Sequence, residues 1–243
     1  MSLCKECISG VRHEGTPEGQ IEKIGGVESY VATPTGDYPK DKIVLFLTDV
    51  FGIPLINNKL LADDFASNGF KVVMPDIFNG EPVPDEEFNK GTFDFPPWFK
   101  RHSDESWQPV VDSVVAALKT QGVTRFGTTG YCFGALPGFY LARKNESQVT
   151  VVTHPSLLKI PEDLENYKKE AKAPLLVNSC EVDEQFPRES QAIADEVFGN
   201  DKFAPGYVRT YWDGCTHGFA VRGDTNNPKT RAGKEGSFKA TVE

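Results

Sequence analysis

A cysteine between two glycines is the residue in this sequence best suited to nucleophilic chemistry. Cys132 lies in the pattern Gly-x-Cys-x-Gly over residues 130–134, directly after a predicted strand. Such a strand-to-helix turn, called a nucleophile elbow, leaves room only for small neighbours, which the two glycines provide. The dipole of the helix that follows favours a thiolate, and the Phe133 N–H points toward a developing oxyanion. The Val50 N–H, in a loop after an early strand, is predicted as the second oxyanion donor.

Two further residues supply the base and the acid that activate such a nucleophile. His217 lies in a polar, glycine-flanked segment, and Asp183 precedes it in the chain; each follows its own predicted strand. The order nucleophile, acid, histidine is typical of one class of hydrolases. Asp183 is predicted to accept a hydrogen bond from Nδ1–H of His217, which fixes the tautomer and stabilises the imidazolium. Glu181 and Glu184 are competing carboxylates, and a cysteine in a tight turn beside an unrelated loop histidine is the plain alternative.

Strands that alternate with helices position these residues. Strands are predicted over residues 28–32 (an edge strand), 43–47, 72–74, 125–129, 149–153, 175–177 and 207–212, and helices over residues 57–68, 110–118, 133–144 and 188–198. The alternation predicts an α/β fold with a mostly parallel central sheet and helices on both faces. In such sheets, functional groups collect at the carboxyl ends of the strands. We expect a single domain over residues 1–243, in which residues 1–20 form an N-terminal extension.

Residues 79–106 interrupt this regular pattern. The segment is rich in proline and aromatic residues, among them Phe93, Phe95, Trp98 and Phe99. A proline-rich, aromatic excursion between regular elements is typical of a cap or pocket wall. A loop that packs its aromatic residues for its own stability is the alternative.

Composition excludes several classes of partner. The net charge of −9 and the absence of a long Lys/Arg run disfavour binding to nucleic acid. The longest apolar run, residues 43–47, is too short to span a bilayer, and no signal or transit pattern is present at the N-terminus.

Five irregularly spaced cysteines do not form a disulfide framework, so a cytoplasmic protein with reduced thiols is expected. Cys4 and Cys7 lack the second half of a metal site and are expected in a flexible tail.

Several motifs in register resemble the dienelactone hydrolase family. They are the pattern around Cys132, residues 49–52, residues 182–183 and residues 216–219. The likeness extends from about residue 24 to the end and is greatest for the fungal and eukaryotic branch. It implies an α/β-hydrolase fold, a Cys132-Asp183-His217 triad, no cofactor or metal, and a small-molecule lactone or carboxylic ester as substrate.

The resemblance also implies roles for residues around the triad. In the family, a carboxylate at the position of Asp49 contacts the resting thiol and moves when substrate binds, but family members carry glutamate there. The shorter aspartate puts this switch in question, and a turn-capping carboxylate is the alternative. Arg222 matches one substrate-binding arginine, although a surface role is equally compatible, and Arg101 is a candidate for a second. Phe51, Tyr131 and His154 are further candidates for substrate contact; for His154, a packing role is the alternative.

The predicted reaction is attack of the Cys132 thiolate on an ester carbonyl, followed by hydrolysis of the thioester with help from His217. A thioesterase or acyltransferase would use the same triad. A ligand-binding protein without turnover and a redox-sensing thiol protein are alternatives of other classes. The residues leave the natural substrate open, and a monomer or small homo-oligomer is expected.

Overall fold

The computed structural model describes residues 14–243. Cys4, Cys7 and most of the predicted N-terminal extension lie outside these residues. Within the described part, a single eight-stranded sheet forms the centre of the molecule. Its strands are β1 (Gln20–Ile24), β2 (Val27–Ala32), β3 (Lys42–Leu47), β4 (Val72–Pro75), β5 (Arg125–Tyr131), β6 (Val149–Thr153), β7 (Leu175–Val182) and β8 (Tyr207–Thr216).

The sheet is mostly parallel, as the sequence predicted. The strand order is β1-β2-β4-β3-β5-β6-β7-β8, and β2 pairs antiparallel with both β1 and β4. All pairs from β4 to β8 are parallel. The inner parallel strands β3, β4, β5 and β6 are largely buried because helices cover both faces of the sheet.

Helices pack around the sheet. They are α1 (Ile56–Ser67), α2 (Asp85–Asn89), α3 (Phe95–Arg101), α4 (Asp104–Thr120), α5 (Ala135–Arg143), α6 (Glu162–Glu170), α7 (Arg188–Phe198), α8 (Phe219–Arg222) and α9 (Pro228–Val242). None of these helices in the described residues is long and apolar enough to cross a lipid bilayer.

The two faces of β3 show how the core divides. Leu45 and Leu47 pack into a cluster with the apolar face of α4, whereas Phe46 between them packs with α1 and α9. This alternation follows from the two-residue period of a strand. All three side chains are at most 2% exposed. Burial of each stabilises the fold by about 1.5–3 kcal/mol relative to an exposed side chain.

The predicted secondary structure was incomplete. β1 was not predicted because four of its five residues are exposed and it has no apolar face; its presence makes β2 an interior strand and not an edge strand. The helix α6, which buries only Leu164 and Tyr167, was not predicted either. The aromatic excursion contains α2, α3 and the start of α4, which begins at Asp104 and continues through Pro109.

The carboxyl ends of the parallel strands bring the candidate residues to one edge of the sheet. Asp49 follows β3, Cys132 follows β5 and His154 follows β6. Asp183 follows β7 and His217 follows β8. Residues from distant parts of the sequence therefore meet because their strands run in the same direction.

Candidate active site

Cys132 occupies a strained turn between β5 and α5. Its φ is +52°, in the left-handed region that non-glycine residues rarely adopt, and a short 3-10 turn over Cys132–Gly134 leads into α5. A Cβ atom on Gly130 would overlap the carbonyl oxygen of Gly134, and one on Gly134 would overlap that of Leu47. Both glycines are therefore needed for the turn that presents the thiol, as the motif predicted.

A hydrogen bond joins the histidine to the carboxylate. Nδ1 of His217 lies 2.9 Å from Oδ1 of Asp183, whose side chain is 1% exposed. The same oxygen accepts hydrogen bonds from the backbone N–H groups of Gln185, at 2.8 Å, and Phe186, at 3.1 Å. These bonds fix the carboxylate and hence the plane and tautomer of the imidazole. Of the competing carboxylates, Glu184 is exposed.

The surroundings of His217 favour its protonated form. Burial lowers the pKa of His217, but the hydrogen bond to Asp183 and the neighbouring Cys132 raise it, and the pKa settles at about 10. Nε2 has no hydrogen-bond partner among the described residues. A positively charged imidazole therefore lies in the same cavity as the Cys132 sulfur.

Cys132 and His217 open into a cavity of about 270 Å³. Four aromatic rings in mutual contact line part of this cavity, Phe51 after β3 and Phe88, Phe95 and Phe99 from α2 and α3. The aromatic excursion therefore contributes a pocket wall, which was one of its two predicted roles. The volume lies slightly below the usual range for small-molecule sites, which begins at about 300 Å³.

Arg222 contributes a cation to this cavity. The centre of its guanidinium lies 4.3 Å from the ring centroid of Phe51 and 4.8 Å from that of Phe88, so both rings hold it by cation–π contacts. Its Nε has no hydrogen-bond partner among the described residues. Arg101, the other candidate, bonds instead to Glu81 with an Nε–Oε2 distance of 3.1 Å and does not line the cavity.

Asp49 lines the cavity, but its carboxylate accepts hydrogen bonds from groups other than the Cys132 thiol. Its Oδ1 accepts hydrogen bonds from Nδ2 of Asn58, at 2.9 Å, and from the N–H of Phe51, at 3.2 Å. Burial raises its pKa to about 6, against the lowering effect of Asn58 and of Arg222. No hydrogen bond joins Asp49 to Cys132; the sulfur lies 3.4 Å from Oγ of Ser156.

The backbone around the predicted oxyanion hole is consistent with that role. Val50 lines the cavity, and within residues 14–243 its N–H has no recorded hydrogen-bond partner. Phe133 lies in the first turn after the nucleophile, where N–H groups lack partners within the helix. Its side chain is buried against Phe78 and Trp98, which fixes the position of its backbone.

The structure separates the two remaining candidates. The Tyr131 side chain stacks on Phe46, with ring centroids 4.9 Å apart, and does not line the cavity. The predicted substrate contact of Tyr131 is therefore wrong, because strand alternation turns its ring into the core. His154 does line the cavity, with its ring centroid 5.0 Å from that of His217. Its burial and the nearby His217 hold its pKa well below the usual range, so it is neutral.

Three contributors were not identified from the sequence. Asn58 holds Asp49, Ser156 contacts the thiol, and Phe88 stacks on Arg222. Ser156 lies just after β6, at the edge of the sheet where the candidate residues meet, and this position could have identified it from the sequence. Asn58 lies within helix α1, and no feature of the sequence there indicates its contact with Asp49. Among the described residues, no group of three or more His, Cys, Asp or Glu side chains is placed to hold a metal ion.

Comparison with known proteins identifies relatives along almost the whole chain. Hydrolase pyvD from Aspergillus violaceofuscus is 35% identical over 97% of this chain and 93% of its own length. Dienlactone hydrolase 1 from Gibberella moniliformis is 29% identical over 99% of this chain and 91% of its own length.

Solved structures show the same fold at low sequence identity. The dienelactone hydrolase-like promiscuous phosphotriesterase P91 from metagenomic libraries superposes with a TM-score of 0.65 at 19% identity, covering 92% of this chain and 95% of that one. Est1E from Butyrivibrio proteoclasticus gives a TM-score of 0.62 at 13% identity, with 93% and 99% covered. This likeness concerns the fold alone and confirms the predicted α/β-hydrolase fold.

The sequence profile of the dienelactone hydrolase family matches residues 27–243. The resemblance inferred from the motifs is thereby confirmed: the chain belongs to the dienelactone hydrolase family.

Proposed function

We propose that this protein hydrolyses a lactone or a small carboxylic ester through a Cys132-Asp183-His217 triad. Membership of the family supports a hydrolase that acts on esters or lactones. The cysteine nucleophile and the thioester intermediate are our extension. One observation carries it: Cys132 sits on a nucleophile elbow in the same cavity as His217, which Asp183 orients.

The first half of the reaction acylates the sulfur. The Cys132 thiolate attacks the carbonyl carbon, and the N–H groups of Val50 and Phe133 stabilise the oxyanion. The oxyanion then collapses and the bond to the leaving oxygen breaks. The His217 imidazolium gives its Nε2 proton to that oxygen, which departs as an alcohol or an enol.

The second half releases the acid. The now neutral His217 takes a proton from water at Nε2, and the resulting hydroxide attacks the thioester carbonyl. The carbon–sulfur bond breaks, the thiolate re-forms, and the imidazolium stabilised by Asp183 is restored. In this scheme, water attack depends on His217 more than the first step does, because a thiolate needs less base assistance than a hydroxyl.

The cavity favours a small planar substrate with a negative charge. Four phenyl rings line part of the cavity, and the Arg222 guanidinium is in cation–π contact with two of them. A guanidinium with an unpaired edge suits a carboxylate, since it donates two parallel hydrogen bonds. A dienelactone has such a carboxylate beside a flat lactone ring.

Steady-state hydrolysis of p-nitrophenyl acetate and of a dienelactone tests this function. Turnover of either ester supports the hydrolase, and the ratio of their kcat/KM values separates a lactonase from a general esterase. Absence of turnover with both esters and a series of other lactones would contradict the proposal. Oxidation of Cys132 to a sulfenate without any turnover would favour a redox-sensing role instead.

Arg222→Met is expected to weaken the use of carboxylate-bearing esters. Loss of a charged hydrogen-bond donor costs about 1.5–3 kcal/mol, which is roughly a 10-fold to 100-fold rise in KM for such an ester. The KM of a neutral ester should change little. Arg101→Met is the matched control, because Arg101 pairs with Glu81 outside the cavity. An equal loss for charged and neutral esters would contradict carboxylate binding by Arg222.

The cellular setting follows from the same chemistry. A thiolate nucleophile needs reducing surroundings, and Cys132, Cys180 and Cys215 are free thiols in the described part of the chain. We therefore propose a cytoplasmic location. The single-domain organisation over residues 1–243, the monomer or small homo-oligomer and the absence of nucleic acid and membrane partners stay predictions.

A further inference from the structure

The hydroxyl of Ser156 lies within hydrogen-bonding distance of the candidate nucleophile. Its Oγ lies 3.4 Å from Sγ of Cys132, a normal distance for a hydrogen bond to sulfur. Ser156 is 4% exposed and lines the same cavity. A hydroxyl donates to a thiolate but accepts from a thiol, so it can accompany the sulfur in either state.

The backbone places this hydroxyl at the sulfur. The Ser156 N–H donates to the carbonyl oxygen of Cys132 at 3.1 Å, which joins the segment after β6 to the elbow after β5. This contact uses only main-chain atoms and survives any side-chain change at position 156 that leaves the backbone in place. The backbone contact and the hydroxyl contact can therefore be tested separately.

The Asp49 carboxylate is engaged elsewhere. Its Oδ1 is held by Nδ2 of Asn58 and by the N–H of Phe51. Nδ2 of Asn58 also donates to the carbonyl oxygen of Gly52 at 2.9 Å, which anchors the amide in place. Movement of Asp49 onto the sulfur would break buried hydrogen bonds, each worth about 1 kcal/mol or more.

We propose that the Ser156 hydroxyl, and not the Asp49 carboxylate, is the resting hydrogen-bond partner of Cys132, and that it holds the thiolate ready before substrate binds. This inference rests on the proposed function. Its consequence is a nucleophile that is not gated by the substrate, in contrast to the carboxylate switch that the family resemblance implies and that the shorter Asp49 puts in question. Ser156 is thus a positioning residue that acts through the sulfur.

Several charged and titratable groups line the cavity that contains the sulfur, and they bear on its pH response. They are His217 after β8, Asp49 after β3, His154 after β6 and Arg222 in α8. Removal of the Ser156 hydroxyl takes away a donor to the thiolate, so the half-point of thiolate formation should move to higher pH. Removal of the Asp49 charge should move it, if at all, to lower pH, because a nearby negative charge disfavours a thiolate. Removal of the Ser156 hydroxyl and removal of the Asp49 charge are therefore expected to shift the half-point of thiolate formation in opposite directions.

The test is thiolate formation in the free, full-length protein, without substrate. Thiolate absorbance near 240 nm is titrated as the difference from Cys132→Ala, and iodoacetamide alkylation of the Cys132 peptide is followed by mass spectrometry. The native protein should be alkylated rapidly at neutral pH. Ser156→Ala should raise the half-point by about one pH unit, the equivalent of one hydrogen bond to a charged group. Ser156→Thr, which keeps the hydroxyl, should restore it.

Three outcomes would overturn the inference. The first is an unchanged half-point in Ser156→Ala, and the second is a failure of Ser156→Thr to restore the native half-point. The third is a large acceleration of alkylation in Asp49→Asn, which would show that the carboxylate restrains the resting thiol. Both readouts are made without substrate, so they stay separate from the proposed function. Failure of the proposed function would appear as absence of turnover in the native protein or as hydrolysis that persists in Cys132→Ala.

Discussion

Cys132→Ala is expected to lose essentially all hydrolysis of p-nitrophenyl acetate and of a dienelactone. The variant lacks the sulfur that forms the acyl-enzyme, and the remaining oxyanion donors act only on uncatalysed attack by water. Removal of the nucleophile in comparable triads costs several orders of magnitude in kcat, so a loss of at least about 1,000-fold is predicted. Steady-state kcat/KM of purified variants measures this loss directly.

Cys215→Ala is the matched control for this substitution. Cys215 is a free and fully buried thiol on β8 that does not line the cavity. Its removal should leave most of kcat/KM in place at temperatures where the variant is folded. Activity that survives in Cys132→Ala but disappears in Cys215→Ala would contradict the assignment of the nucleophile.

Asp183→Asn is expected to reduce kcat/KM by roughly 1,000-fold to 10,000-fold. The amide is neutral and cannot stabilise the His217 imidazolium, although the ring stays in its cavity. The pH dependence should change as well. The hydrogen bond to Asp183 is the main cause that opposes burial and raises the pKa of His217 to about 10. Its loss should move the alkaline limb of kcat/KM, where His217 loses its proton, to lower pH.

Glu184→Gln is the control for Asp183→Asn, because Glu184 is the carboxylate next to Asp183 in the sequence. Glu184 is exposed and has no place in the cavity lining. The control variant should keep both the rate and the position of the alkaline limb. An alkaline limb that stays at the native pH in Asp183→Asn would mean that another group holds the imidazolium.

The sequence predicted the parts of the fold that local patterns determine. Apolar runs of strand length identified the interior strands, and the glycine spacing around Cys132 identified the elbow, where the structure leaves no room for a Cβ. The order of Cys132, Asp183 and His217, each after its own strand, predicted the edge of the sheet at which they meet. The polar edge strand β1 and helix α6 were missed because each buries little apolar surface.

The sequence alone did not predict the contacts between side chains that belong to different elements of the fold. The hydrogen bond from Asn58 to Asp49 depends on the packing of α1 against the loop after β3. The stacking of Arg222 between Phe51 and Phe88 brings together three separate segments of the chain. Each of these contacts changes the expected chemistry. The hydrogen bond from Asn58 holds the Asp49 carboxylate away from the role in switching that the resemblance implies. The aromatic contacts hold the Arg222 guanidinium in the cavity.

The most direct test of the account is to identify the atom that carries the acyl group. His217→Ala, mixed with p-nitrophenyl acetate at a pH that ionises the thiol, should release about one equivalent of p-nitrophenol and then stall, because water attack needs the imidazole. Peptide mass spectrometry should find a single acetyl group on Cys132, labile to hydroxylamine as a thioester. An acetyl group on Ser156 or another residue, with Cys132 unmodified, would contradict the central claim.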